Sequence, residues 1–403
     1  MIRKIAIDKL QPGMYVVDLH RSWLSHTFWR SRFAVTSEDM VRRLIEEGIS
    51  EVSIDTRRGI DIPPPPPGPP PPMDPNYVPR SERLLAKPKT ITLGEERRRA
   101  GLLLGDATQC LEDLMAAARV GQAVEVGRLE PVVARMIESV MRNPDALPPM
   151  ARLKLKGGYA VGHAVSTAAL VVAFGRQQGL PEAEIEKLAI GTLVKDVGYA
   201  ALDSALLAKP GRFSRDERSQ VERHVEEGLS VLMATSRLPE TAVAVVLEHH
   251  ERFDGSGYPY GVAGSDISLA GRMAAVVDRF DAMISQRAYR SALSPWAALG
   301  QVFQAGGRDF DPELVAGFIH TVGIYPVGSL VRLESGHLAV VEELHADAPV
   351  SPVVRVIYHA GRRQYVAPVV VDLANVYGNH YGQIVRAENF SDWDLSAVRW
   401  QPV

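Results

Sequence analysis

The sequence is poor in three features that would each indicate a particular class of protein: cysteine, net charge and long apolar runs. Its 403 residues include a single cysteine, Cys110, so no internal disulfide can form. With 45 basic and 48 acidic residues the formal net charge is −3, which disfavours a protein that binds a nucleic acid polymer. The longest apolar stretches, such as residues 168–174, are far shorter than the roughly 20 residues of a membrane span.

The beginning of the chain also lacks the apolar run of a signal peptide, because Asp8 and Lys9 interrupt it. We therefore expect a cytoplasmic protein with no membrane span. Hydrophobic residues nevertheless make up 46% of the chain, more than one small core needs. Two or three domains are expected.

Residues 1–60 predict a small α+β N-terminal domain with a regulatory role. Strand-like segments at 13–19 and 51–55 flank a helical segment at 37–48, which has Ser37 as its N-cap and Gly48 as its terminator. A domain of this size is too small to house a roomy enzyme site.

A proline-rich linker is predicted over residues 61–80. Its core, PPPPPGPPPP at 63–72, cannot form a packed core and favours an extended polyproline II rod. A stiff spacer is the simplest interpretation, and a docking site for an aromatic groove is the alternative.

The remaining chain predicts a large helical domain over residues 81–325 and a small β extension over 326–403. From Glu95 to about Trp296, apolar residues recur at helical spacing, and 214–233 is among the segments that read as one helix. After Pro326 the pattern changes to short β-branched runs separated by turns. The expected fold class is mainly α.

Potential metal ligands recur along the helical domain. Imidazoles and carboxylates at helix ends suit a divalent metal such as Fe, Mn, Zn or Co, and a shared carboxylate allows two ions to activate one water for phosphoester hydrolysis. Two adjacent histidines followed closely by acidic residues favour a metal site over unrelated surface or core histidines. The candidates are His163, Asp196, His224, His249, His250 and Asp278.

Two segments within this domain resemble the signature of the HD-GYP family. These are EHHERFDGSGYPYG at 248–261 and RMAAVVDRFDAMISQRAYR at 272–290. The resemblance covers roughly 151–325 and implies an HD-type helical bundle with cyclic di-GMP as its ligand. Residues 1–60 resemble the uncharacterised domain often found ahead of HD-GYP domains, and the tail resembles the family's C-terminal extension.

The resemblance also implies roles for individual residues. It makes the six candidates above the metal ligands, with Asp196 as the Asp of the catalytic HD pair. It implies a ligand-binding loop and helix that contact cyclic di-GMP, and a GYP surface or N-terminal domain that contacts other signalling proteins. The implied ligand-binding residues are Gly257, Tyr258, Pro259, Asp281, Arg287 and Arg290.

Three departures from the family pattern fall in one half of the site. Lys195 occupies the position of the His in the HD pair, and Tyr199 occupies the position of a Lys that helps hold phosphate. No acidic residue lies between Asp145 and His163, where some members carry a ligand for a third metal. We therefore expect fewer ions than in intact family members, about one per chain.

Lys195 leaves several arrangements open. A protonated ammonium has no lone pair, so Lys195 can ligate a metal only if its pKa falls to near neutrality. Alternatively, it pairs with Asp196 and Asp278 and takes over part of a metal's charge. A solvated helix residue is the third possibility.

Two functions follow from these observations. One is a cyclic di-GMP receptor of HD-GYP type with reduced or lost metal-dependent phosphodiesterase activity. The alternative is an active phosphodiesterase that opens cyclic di-GMP to pGpG or GMP. An unrelated phosphohydrolase activity is a more distant third.

Overall fold

The protein is represented by a computed structural model that describes residues 2–18, 33–35, 38–46, 49–56, 91–151, 158–207, 209, 211, 213–235, 237–285, 292–345, 348–375, 379–395 and 400. The chain divides into two compact units, Met1–Ala86 and Lys87–Val403. The predicted linker at 61–80, together with Ser37 and Gly48, lies outside the described residues.

The first unit is a small antiparallel sheet with a helix. Its strand order is β1-β4-β2-β3, and its core includes Val16, Leu44 and Ile54, each fully buried. Strand β1 was not predicted, because it buries only Ile5 and so shows little alternation. The elements are β1 (Ile2–Ala6), β2 (Tyr15–Asp18), β3 (Phe33–Ala34), α1 (Glu38–Glu46) and β4 (Glu51–Asp55).

The second unit begins with the helical domain. Its longest helix, α2 (Leu93–Arg119), starts at a capping box in which Thr92 and Glu95 satisfy each other's backbone N–H groups. The helices that follow are α3 (Glu130–Arg142), α4 (Leu147–Ala151), α5 (Gly158–Gln177), α6 (Glu182–Val194), α7 (Ser204–Leu207), α8 (Arg215–Glu222), α9 (His224–Thr235), α10 (Glu240–Glu248), α11 (Leu269–Ile284), α12 (Pro295–Gln304) and α13 (Pro312–Val322).

Helix α5 forms the centre of this bundle. It is long and apolar enough to cross a membrane, but 83% of its most apolar stretch is buried inside the protein. Phe174 of this helix packs edge-to-face on Phe318, which in turn packs edge-to-face on Phe280, with ring centroids 5.4 and 5.1 Å apart. The apolar surface of α5 therefore forms the protein core.

The single helix predicted over 214–233 is wrong in one respect: the structure contains two helices, which meet at Arg223. The first, α8, buries no residue, whereas the second begins at the fully buried His224. The chain therefore turns where it enters the core, and His224 is placed in the first turn of α9.

The C-terminal part of the second unit is an antiparallel sheet of order β8-β7-β6-β5-β9. The last strand was not predicted. The sheet is joined to the helices by the guanidinium of Arg97, which donates to the carbonyl of Glu342 at 2.7 Å, and by Asp145, which accepts from the amide of Leu344 at 2.9 Å. The strands are β5 (Leu330–Leu333), β6 (His337–Glu343), β7 (Val353–His359), β8 (Gln364–Asp372) and β9 (Ile384–Glu388). The mainly α fold class, with a small sheet at each end, is confirmed.

Candidate metal centre

Four potential ligands converge where three helices end or begin. Asp196 follows the C-terminus of α6, His224 opens α9, and His249 and His250 follow the last turn of α10. Their ligand atoms all lie within 4.8 Å of one another. The loops and helix ends thus gather residues that are up to 54 positions apart in the sequence.

The imidazoles of this cluster are oriented for metal binding. Nδ1 of His224 bonds the carbonyl of Val221 at 2.8 Å, and Nδ1 of His249 bonds the carbonyl of Val246 at 3.0 Å. Because a carbonyl can only accept, both Nδ1 atoms carry a proton, which in a neutral imidazole leaves the lone pair on Nε2. Such a backbone contact is the usual support of a metal-binding histidine.

The surroundings of the Nε2 atoms in this cluster test whether a metal fits. Those of His224, His249 and His250 are buried and have no hydrogen-bond partner among the described residues. Asp196 Oδ1 lies 3.6 Å from Nε2 of both His224 and His249. Unpaired buried nitrogens around a carboxylate fit one divalent cation well.

The protonation states agree with this fit. Burial lowers the pKa of His224 to about 4 and holds that of His250 well below its usual range. Both imidazoles are therefore neutral near pH 7, as metal ligands must be. We name Asp196, His224, His249 and His250 together the three-histidine site.

The position beside the three-histidine site, between Asp196 and Asp278, is filled by Lys195. Its side chain is fully buried, and its ammonium contacts Oδ2 of Asp196 and, at 2.8 Å, Oδ1 of Asp278. Burial disfavours this charge, but the two carboxylates outweigh it and raise the pKa of Lys195 above its usual range. Lys195 therefore has no lone pair to offer a metal, and its interpretation as a solvated helix residue is wrong.

His163 belongs to the same buried network. Its Nε2 lies 2.8 Å from Asp278 and its Nδ1 lies 2.7 Å from Asp281, whose other oxygen accepts from Ser166 at 2.5 Å. Burial and Lys195 both oppose the imidazolium, yet the two carboxylates raise the pKa of His163 to about 9. In this arrangement His163 is a cation bonded at both nitrogens.

Asp281 faces the protein interior. It is fully buried, and its oxygens contact His163, Ser166 and Ser285. These contacts orient His163, and the expected contact of Asp281 with a dinucleotide stays a prediction. Arg287 and Arg290 lie outside the described residues.

Two tyrosine rings cover the three-histidine site. Tyr199 stacks on His224 with centroids 4.2 Å apart, and Tyr258 stacks on His250 at 4.6 Å. Burial raises the pKa of both tyrosines above the usual range, so both hydroxyls stay protonated. Tyr199 thus contributes an aromatic ring where the family pattern has a cation.

The loop that carries Tyr258 is closely packed. A Cβ on Gly257 would lie 2.4 Å from the amide nitrogen of Arg252, and Gly255 has φ of +79°. Only glycine fits these two positions without strain. The peptide bond between Tyr258 and Pro259 is cis.

A cavity of about 760 Å³ opens onto the three-histidine site and onto the neighbouring network of His163 and Asp278. Three tyrosines, several basic side chains and most of the predicted metal ligands line it. Sequence reasoning missed part of this lining. Tyr159 stands one helical turn before His163, a spacing that could have revealed it, whereas no sequence signal marks the basic residues. The missed polar lining residues are Arg119, Tyr159, Lys209, Arg252, Arg279 and Asp309.

Comparisons with known proteins match two family models to parts of this chain. An HD domain model matches residues 141–314, and a model described as "Domain of unknown function (DUF3391)" matches residues 2–129. Among solved structures, a HDG"Y"P protein from Bdellovibrio bacteriovorus aligns with 79% of this chain and 98% of its own, at 14% identity and a TM-score of 0.48.

Two curated relatives are named for their activity. The cyclic di-GMP phosphodiesterase response regulator RpfG of Xanthomonas campestris is 39% identical over 140 residues, which are 34% of this chain and 37% of that protein. A cyclic di-GMP phosphodiesterase of Pseudomonas aeruginosa is 36% identical over 396 residues, which are 98% of this chain and 94% of that protein. A relationship at this identity over nearly the whole of both proteins shows that the chain belongs to the HD-GYP family, with Lys195 in place of the histidine for which the family is named.

Proposed function

We propose that this protein binds cyclic di-GMP in the cavity beside a single divalent metal and has reduced or lost phosphodiesterase activity. Family membership and the activity named for the relatives support the choice of ligand. The cavity has room for a dinucleotide, and its lining combines aromatic rings for bases with cations for phosphates.

The three-histidine site is where a metal would bind. Its four residues offer three imidazoles and one carboxylate, a set suited to Fe, Mn or a similar ion. A divalent metal held there would supply Lewis-acid polarisation of a phosphoryl oxygen and would acidify a water molecule. The protein's contribution is to fix the imidazoles through Val221 and Val246 and to exclude bulk water with Tyr199 and Tyr258.

One observation carries the proposal of weakened catalysis: the buried ammonium of Lys195 pairs with both Asp196 and Asp278. In a two-metal centre a shared carboxylate would bridge the ions. Here Asp196 offers one oxygen to the three-histidine site and the other to Lys195. A second ion would have to enter beside a fixed positive charge, which makes its binding unfavourable.

The active enzyme remains the second candidate, and the same contacts favour it in one respect. Lys195 and His163 place positive charge where a second metal would lie, and fixed positive charge stabilises the negative charge that develops in a transition state. Such an enzyme would work with one metal and an ammonium.

A turnover assay distinguishes these functions. The purified full chain, loaded with Mn²⁺ or Fe²⁺ under anaerobic conditions, is incubated with cyclic di-GMP, and formation of pGpG and GMP is followed by chromatography. Calorimetry on the same samples measures binding. Binding with slow or no turnover supports the proposal. Turnover at a rate typical of enzymes, about 1 per second or faster, favours the second candidate.

A further inference from the structure

The wall of the cavity includes a helix that precedes the HD domain match. Helix α2 ends at Arg119, and both Met115 and Arg119 line the cavity. The two residues are four positions apart and so lie on one face of the helix. The last turn of α2 therefore faces the cavity, although the HD domain match begins only at residue 141.

This turn is held firmly in place. Met115 is 6% exposed, and the residues around it, including Leu111, Leu114 and Ala118, are buried in the core of the helical domain. An anchored helix end fixes the backbone of such a residue, so that only the freedom of its side chain is lost on binding. Arg119 itself is exposed at the cavity.

Arg119 differs from the other cations of the cavity in its surroundings. Lys209 donates to both carboxylate oxygens of Glu217 at 2.6 Å, and Arg252 interacts with Asp254. Arg119 has no hydrogen-bond or ion-pair partner within the part of the chain that the structure describes. Its guanidinium therefore keeps its full capacity to bind an anion.

Cyclic di-GMP carries two phosphodiester groups on opposite sides of its ring. The metal centre can face only one of them, so the second must find its counter-charge elsewhere on the cavity wall. We propose, on the basis of the function proposed above, that Arg119 binds this second phosphate. An arginine fork suits a phosphate because it can donate two parallel hydrogen bonds. Helix α2 is then part of the ligand site.

Calorimetry with cyclic di-GMP on the metal-loaded full chain tests this assignment. Arg119→Gln should weaken binding about tenfold to a hundredfold, as expected for the loss of one charge-assisted contact. Arg119→Lys should bind with intermediate affinity. Arg98→Gln is the matched control, because it removes the same charge from an exposed position about 32 Å away on the same helix.

GMP is a second probe, since its single phosphate is expected at the metal centre. Arg119→Gln should change GMP binding by less than about threefold, a loss well below that of a charge-assisted contact. If Arg119→Gln binds cyclic di-GMP as tightly as Arg98→Gln, or if it weakens GMP to the same extent, the assignment is wrong. A wild-type protein that binds no cyclic di-GMP contradicts the proposed function itself.

Discussion

His163 and Lys195 contact the same atom: Nε2 of His163 and Nζ of Lys195 each lie 2.8 Å from Oδ1 of Asp278. The family resemblance assigns this carboxylate to a metal. Any ion that bound there would compete with two buried cationic groups for one oxygen. The protein's own charges thus lie where the resemblance implies a second metal.

The cations beside Asp278 should limit the metal content of the protein. Because the three-histidine site has unpaired ligand atoms and the neighbouring position does not, we expect about one ion per chain after loading with Mn²⁺ or Fe²⁺ and dialysis. Elemental analysis measures it, with His249→Ala as the variant that should lose the ion. Two or more tightly held ions per chain would show that Lys195 does not block the second position.

A histidine at position 195 should restore part of the metal binding and of the phosphodiesterase activity. Lys195→His is expected to raise both the metal content and the rate of cyclic di-GMP turnover, because it exchanges an ammonium for a ligand. Tyr199→Lys should act mainly by strengthening phosphate binding, and the double variant should exceed either single one. Lys187→His, at a partly exposed position of α6, controls for an added histidine. If metal content and turnover stay at the wild-type level in Lys195→His, another feature limits the site.

Arg290 provides a test on the predicted ligand-binding segment. Arg290→Ala is expected to weaken cyclic di-GMP binding by about 1.5–3 kcal/mol, the loss of one charge-assisted phosphate contact. Calorimetry measures it, with metal content unchanged as the control. Unaltered affinity would remove Arg290 from the ligand contacts.

The junction of helices and sheet should respond to pH through Asp145. Burial raises the pKa of this carboxyl to about 6, although the hydrogen bond from the amide of Leu344 acts to lower it. A carboxyl with a raised folded-state pKa contributes stability that is present at low pH and is lost as the pH rises through about 6.

Asp145→Asn should therefore be more stable than wild type by about 1–2 kcal/mol near pH 7, a value reduced for partial exposure. The difference should vanish below about pH 4, where the wild-type carboxyl is protonated in both states. Urea denaturation at the two pH values measures it, with the exposed Asp266→Asn as control. A difference that does not change with pH would exclude the titration of Asp145 as its cause.

Packing beneath the three-histidine site predicts a severe effect at Gly198. A Cβ there would lie 1.9 Å from the carbonyl oxygen of His224 and 2.5 Å from the amide nitrogen of Gly228. Gly198→Ala should cost about 3 kcal/mol of stability, since backbone must move, and should weaken metal binding by separating His224 from Asp196. Gly105→Ala, where nothing lies within 4 Å, should instead stabilise α2 by about 0.5–1 kcal/mol. Equal effects of the two variants on denaturation would contradict this account.

Much of the fold was predictable because its signals are periodic. The helices and most strands bury one face, which leaves a 3.6- or 2-residue pattern in the sequence. Strand β1 and the break at Arg223 lack such a signal, because β1 buries one residue and α8 buries none. Tertiary contacts fix these features.

The candidate metal ligands were predictable from their residue types and from the family resemblance. His249, His250 and Asp278 stand in segments with a recognisable pattern, and the pairing of Lys195 with two carboxylates is one of the three arrangements that its sequence position leaves open. Arg119 could not be found this way. Its position at the cavity depends on how α2 packs, which spacing along the chain does not encode.

The contact between Arg97 and the carbonyl of Glu342 bears on how the protein can be dissected. Arg97 is 4% exposed in the intact chain, and a chain cut at Pro326 would lose both the carbonyl that accepts from its guanidinium and the amide that donates to Asp145. The change at Pro326 is one of secondary structure inside a single compact unit. A shortened version that retained every metal ligand would therefore lack contacts present in the intact chain. A loss of activity in it could not be attributed to Lys195.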